Sequence, residues 1–211
     1  MFVRHGTKKI TEAKGRGRPR AYDPETAMQK ALGVFWSTGY SGASLDSIAT
    51  AAGMNRPSLY AAFGDKHAIY LKALEQYWGL ASAAIDEALD DPSLTLAEAL
   101  MRLYEGQLSI YFSGDGEPRG CFIIGTATTE AVEDAEIRAV LLQRLDALDA
   151  HLETRLRTAI EAGELKGGAD PAAVAVLAAS LVHSLSIRAR AGKPHAELIT
   201  LARNAVQVIC G

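Results

Sequence analysis

The chain has 211 residues, 48% of them hydrophobic and 22% charged, with a net charge of −3, enough to bury one good core or one core and a small satellite. No apolar run reads as a membrane span, and the N-terminal segment lacks the apolar core of an export signal. Cys121 and Cys210 stand far apart with no metal-ligand spacing, so the expectation is a cytoplasmic protein with no metal, cofactor or membrane partner.

The charge is unevenly placed. Residues 1–22 hold seven basic residues against Glu12 alone, which leaves the rest of the chain strongly acidic. Such a segment reads either as an arm that meets a polyanion or as a solvated tail, and charge alone does not separate the two. Its glycine and basic content predicts a flexible arm.

From residue 23 onward nearly every segment has the helical period, and the chain predicts an all-α fold of nine helices. Asp23 or Pro24 opens the first helix, with Ala27, Ala31, Leu32, Phe35 and Trp36 on its apolar face and Gly39 as its stop. Ser44 caps a short helix over 45–52 that Gly53 ends, Asn55 caps another over about 56–62, and Asp65 opens a long one at Lys66. An apolar stripe from Leu96 to Tyr111 predicts the fifth helix, and a sixth is expected over roughly 120–132. The stripe from Ile137 to Ile160 predicts a long seventh helix, Pro171 opens the eighth, and Pro194 lies near the start of the last. CFIIG, at 121–125, has β-branched character but suits a helix equally well.

Between Ser44 and Phe63 the residues meet the demands of a helix-turn-helix. Ala49 is small where two helices would cross, and four residues on Gly53 suits the left-handed turn. Ile48, Ala52, Met54 and Leu59 supply the buried contacts. The run GYSGASLDSIATAAGMNRPSLYAAFGDKHAIYLKAL resembles the DNA-binding domain of the TetR family of transcriptional regulators. The features that carry the resemblance are Gly39-Tyr40, the Leu45–Ala49–Gly53 spacing, Ser58-Leu59-Tyr60, Phe63 and Asp65-Lys66. It covers about 45 residues; beyond them only chain length and helix number agree.

The resemblance implies that the second helix of the pair enters the major groove with its N-terminal end at the bases. Asn55, Arg56, Pro57 and Ser58 stand at that end. The fork of Arg56 suits guanine O6 and N7. Ser58, Tyr60 and Lys66 match the family's phosphate contacts, and Ser44 with Ser47 are further candidates. The chain departs from the family pattern at Pro57, where a small flexible residue is common, and at Ala61 and Ala62, where larger side chains are common. Fewer base-contacting groups remain. Arg16, Arg18 and Arg20 in GRGRPR resemble a minor-groove hook that compensates.

The expected organisation is a basic arm over 1–22, a DNA-binding domain over 23–67, and an effector and dimerisation domain over 68–211. One reading head covers a half-site, so a homodimer on an inverted-repeat operator of double-stranded DNA is implied. In TetR-like proteins the last two helices pair with their symmetry mates, which makes Leu177, Leu181, Leu185, Leu198, Leu201 and Val206 interface candidates; an internal core face is the other reading. The candidate lining of an effector pocket is Trp78, Tyr104, Leu108, Tyr111, Phe112, Cys121, Phe122, Thr126, Leu145 and Leu148, suited to a medium-sized, apolar or aromatic small molecule. Cys121 follows Arg119 near a helix start, a setting that lowers a thiol's pKa, so it reads as an electrophile or oxidant sensor or as a small buried hydrophobe. His183 reads as a core, interface or ligand-bonding histidine.

The function implied is a ligand-responsive transcriptional regulator, a repressor released by its effector. The alternatives are a regulator that senses electrophiles through Cys121 and a DNA-binding dimer without an effector. Enzyme chemistry has little to stand on: there is no nucleophile elbow, phosphate loop or metal-spaced histidine set.

Overall fold

The computed structural model describes residues 22–114, 116–165, 168 and 170–211. Among them are nine α-helices and no strand: α1 (Pro24–Gly42), α2 (Leu45–Ala52), α3 (Arg56–Phe63), α4 (Lys66–Leu89), α5 (Leu96–Tyr111), α6 (Thr128–Glu130), α7 (Ala135–Glu161), α8 (Pro171–Arg190) and α9 (His195–Cys210). A π-helical segment, Ile123–Ala127, runs directly into α6.

Local chemistry places most of these boundaries. The Asp23 carboxylate accepts from the Thr26 amide, and Pro24 occupies the first turn of α1. Gly39 interrupts that helix with φ 75° and ψ 174°, so its last residues form a separate short turn. Thr95 and Glu98 form a reciprocal capping box on α5, and Asp134 and Asp170 cap α7 and α8.

α1, α2 and α3 form a small bundle whose core is Phe35, Ile48, Ala49, Leu59 and Phe63. The long α4 packs against α1 at one end and α5 farther along, while α5, α7, α8 and α9 make the larger body. At 24 residues, α4 spans about 36 Å. Small residues at Ala175, Ala178, Ala179 and Ala189 are fully buried and let α8 approach its neighbours closely.

Two expectations need correction. The segment expected as a regular sixth helix over 120–132 begins with Gly120 at φ 65° and continues as the π-helical stretch. The cause is tertiary: a Cβ on Gly120 would stand 2.5 Å from the Ser186 carbonyl oxygen, so the chain must press backbone to backbone against α8 there. Secondly, α8 is long and apolar enough by length and composition to cross a membrane. Here it packs against α5, α7 and α9 instead.

Candidate DNA-reading head and effector cavity

The α2–α3 pair is held by satisfied helix ends. Ser44 Oγ accepts from the Ser47 amide at 3.0 Å, and Ser47 Oγ accepts from the Ser44 amide at 3.0 Å. Gly53, at φ 66° and ψ 29°, ends α2; its amide donates to Thr50 O while the Met54 amide donates to Ala49 O, a Schellman arrangement. Asn55 Oδ1 then accepts from the Ser58 amide at 2.8 Å and starts α3. Leu59 and Phe63 face inward, which turns Asn55, Arg56, Pro57, Tyr60 and Ala61 to the exposed side, with Ser58 half-buried.

This geometry divides the DNA-contact candidates. Arg56 and Tyr60 are exposed, Tyr60 at 63%. Arg56 Nε lies 3.3 Å from Asp46 Oδ1 on α2, an exposed and easily exchanged pair. The hydroxyls of Ser44 and Ser47 and the carbonyl of Asn55 are occupied in capping. The Lys66 ammonium sits 4.4 Å above the Tyr40 ring, and that ring packs against Phe35 and Tyr70. Tyr22 docks on Phe63 with ring centroids 6.3 Å apart. Arg16, Arg18 and Arg20 lie outside the described residues.

An aromatic cluster joins the reader to the body. Trp36 Nε1 donates to the Gly120 carbonyl at 3.0 Å, the Tyr70 and Thr126 hydroxyls bond at 2.7 Å, and Phe122 packs among Trp36, Tyr70 and Tyr77. Burial raises the Tyr70 phenol well above its ordinary range. The Cys121 amide donates to Ser186 Oγ at 2.8 Å, which ties the start of the π segment to α8.

Next to this cluster lies a partly open cavity of about 40 Å³, with Tyr77, Trp78, Ala81 and Ile85 from α4, Gln107 and Tyr111 from α5, Cys121, Ile123 and Ile124 around the π segment, Arg144, Leu145 and Leu148 from α7, and Val182 and His183 from α8. It has room for a water or two, not for the medium-sized ligand expected. The structure brings Trp78, Tyr111, Cys121, Leu145 and Leu148 to its wall. The other pocket candidates do different work. The Tyr104 hydroxyl donates to Ala178 O at 3.2 Å and Leu108 is core. Phe112 stacks edge-on against His195, Phe122 belongs to the junction cluster, and Thr126 is bonded to Tyr70. Aromatic residues that read as pocket lining fill the core instead.

Tyr77, Gln107 and Arg144 were missed as lining residues. Tyr111 Oη and Arg144 Nε are buried without a hydrogen-bond partner, while Tyr77 Oη lies within reach of the Cys121 thiol and the Phe122 amide. The other Arg144 nitrogens are less isolated: Nη2 pairs with Glu75, and the guanidinium lies over Trp78. Burial lowers the His183 pKa against the opposing pull of Asp149, so the ring is neutral near pH 7. Burial likewise pushes the Cys121 thiol up. The expected lowering fails because Arg119 turns away, its guanidinium 4.1 Å above the Trp36 ring.

The last two helices also divide. Leu185, Leu198 and Val206 point into the core of their own protomer and are no longer interface candidates. Leu177 is 66% exposed, with Leu181 and Leu201 half-buried beside it. Val176, Ile187 and Val208 extend this exposed apolar face. A helical stripe runs through Val176, Ser180, Ser184 and Ile187 at the spacing of successive turns.

Residues 27–73 match the family model described as bacterial regulatory proteins, tetR family, and residues 97–205 match the tetracyclin repressor-like C-terminal domain. The chain is 29% identical over 189 residues to the HTH-type transcriptional repressor ComR of Escherichia coli K12, covering 90% of both proteins. It is 31% identical to a cysteine-substituted form of the TetR family regulator CifR, solved with 26-bp double-strand operator DNA; the match covers 92% of this chain and 100% of that one, with a TM-score of 0.78. The reduced form of E. coli NemR shares the fold at 19% identity, with a TM-score of 0.77 over 89% of this chain and 96% of that one.

Proposed function

The chain belongs to the TetR family of bacterial regulatory proteins, and from that premise we propose that it is a homodimeric repressor that binds an inverted-repeat operator and leaves it when a small molecule enters the cavity beside α4. The observation that carries this reading is the exposed edge of α3. Capped at Asn55 and anchored by Leu59 and Phe63, it presents Arg56, Pro57 and Tyr60 on a rigid turn.

Arg56 is the base reader, exchanging Asp46 for a guanine edge. Ser58, Tyr60 and Lys66 take phosphates, the last by lifting off the Tyr40 ring. The arm with Arg16, Arg18 and Arg20 adds minor-groove and electrostatic affinity, which the near-neutral helix-turn-helix lacks. Residues 23–67 act as the reader and 68–211 as the effector-binding and dimerising body. The cavity wall and the root of α4 belong to one helix, so swelling the cavity displaces the helix that carries the reader. The role is regulatory rather than catalytic, and its place is the cytoplasm, where the DNA is.

Selection of bound sequences from random double-stranded DNA tests the reading. An inverted repeat with centres about one helical turn apart is the expected result, and Arg56→Ala relaxes preference at one position of each half-site. Enrichment of no sequence, or of an asymmetric single site, overturns it.

A further inference from the structure

Two buried side-chain polar atoms at one place in the fold have no hydrogen-bond partner. They are Tyr111 Oη and Arg144 Nε, on residues that line a small cavity among α4, α5, α7, α8 and the π segment; Tyr77 Oη, in the same wall, meets the Cys121 thiol and the Phe122 amide. Both tyrosines are fully buried. A buried polar group left unpaired is costly, on the order of 1–3 kcal/mol, so two around one cavity make a site poised for an acceptor.

The chemistry of the wall selects the ligand. Both orphaned groups can donate, Arg144 Nε can do nothing else, and the Tyr77 hydroxyl can turn from the Cys121 thiol to join them. No Asp or Glu lines the cavity. The Gln107 amide nitrogen is already used, donating to Ala81 O at 3.1 Å. An amine or ammonium ligand would find no anion and would meet the Arg144 charge. A carboxylate offers two oxygens that accept several bonds, which is what an anion needs when it leaves water. The remaining wall, Ile123, Leu145, Leu148 and Val182, is aliphatic and suits a short hydrocarbon body.

We propose that the effector is a small carboxylic acid, bound as its anion with its oxygens on the hydroxyls of Tyr77 and Tyr111 and on Arg144 Nε. This rests on the reading of the chain as a ligand-released repressor. The cavity of about 40 Å³ is too small for the ligand as it stands, so entry forces Tyr77, Trp78 and Ala81 of α4 outward. That displacement is the signal. It works on the same helix whose Tyr70 is tied to Thr126 and whose first turn carries Lys66.

The test uses the full chain and an operator recovered by selection, with operator binding of the ligand-free protein measured first. Acetate, propionate, butyrate and benzoate are compared at constant ionic strength with their amides and with propylammonium. At least one carboxylate is expected to raise the melting temperature and weaken operator binding about tenfold, a usual size for coupling. Tyr77→Phe and Tyr111→Phe should each weaken carboxylate binding about tenfold, the loss of a bond to a charged acceptor. Tyr111→Phe should not lower the melting temperature of the free protein, because its hydroxyl has no partner. The proposal is overturned if the amides act as well as the acids, if no carboxylate shifts the melting curve, if the phenylalanine variants respond like the parent, or if a soaked crystal shows only ordered water between the tyrosines. Operator binding without any carboxylate effect defeats the ligand class and leaves the repressor reading standing. Failure to bind any DNA defeats the repressor reading, while the melting shifts still decide the site.

Discussion

Gly53 and Gly120 both have positive φ, yet their substitution should differ in size because their surroundings differ. A Cβ on Gly53 meets nothing within 4 Å, so Gly53→Ala pays only for the left-handed backbone, about 1 kcal/mol. A Cβ on Gly120 would meet the Ser186 backbone at 2.5 Å, so Gly120→Ala should cost roughly 3 kcal/mol or more by adding steric displacement of α8. Urea unfolding of the two variants measures the difference, and equal losses would mean that α8 yields freely. Gly53 was legible in the sequence, since a small residue four positions earlier and an Asn cap after it define the turn. The need for Gly120 was not, because its partner Ser186 is 66 residues away. Cys121 makes the same point. Its sequence neighbours argue for a reactive thiol, while burial argues for an inert one, and burial prevails because Arg119 is stacked elsewhere. Its alkylation at neutral pH should therefore be slower than that of an unhindered thiol, and should accelerate as pH rises above about 9.

At the scale of elements, the junction of α1, α4 and the π segment links reader and body. Thr126→Val removes the acceptor and donor that hold the Tyr70 hydroxyl and leaves a fully buried phenol unpaired. It should cost about 1–2 kcal/mol, with Thr126→Ser retaining most of the stability; chemical denaturation of the pair checks this. The helices α2, α3 and α4 begin where their caps stand in the sequence, because a cap acts within a turn. The π segment has no such local signature. Its extra width accommodates Phe122 and Thr126 against α1 and α4, a requirement set by residues distant along the chain.

For the whole molecule, two properties depend on assembly and burial together. The exposed stripe of Val176, Leu177 and Ile187 on α8 should seal in a dimer, so Leu177→Glu is expected to yield monomers in sedimentation and to abolish tight operator binding. Tyr70, Tyr77, Tyr104 and Tyr111 all have phenol pKa values raised by burial above the ordinary 10. Raised folded-state values mean that the unfolded chain loses these protons first as pH climbs. Stability is therefore unaffected by these groups below about pH 9 and falls steeply above pH 10, with the slope set by the number of phenols involved. Urea melts taken from about pH 8 to about pH 11 measure that slope.

The sequence by itself determined the all-α class, most helix starts, the helix-turn-helix and the residues at the reading end of α3. Each of these is written in neighbours one to four positions apart, where caps, periodicity and turn glycines operate. Only the tertiary structure decided which apolar faces are spent inside. It withdrew Leu185, Leu198 and Val206 from the dimer surface, exposed Val176, Ile187 and Val208, and turned Tyr104, Phe122 and Thr126 from pocket into core. A helical stripe states that a face is buried without stating against what. That choice belongs to the packing of five helices from distant parts of the chain, and the same packing left the Tyr111 hydroxyl without a partner beside α4.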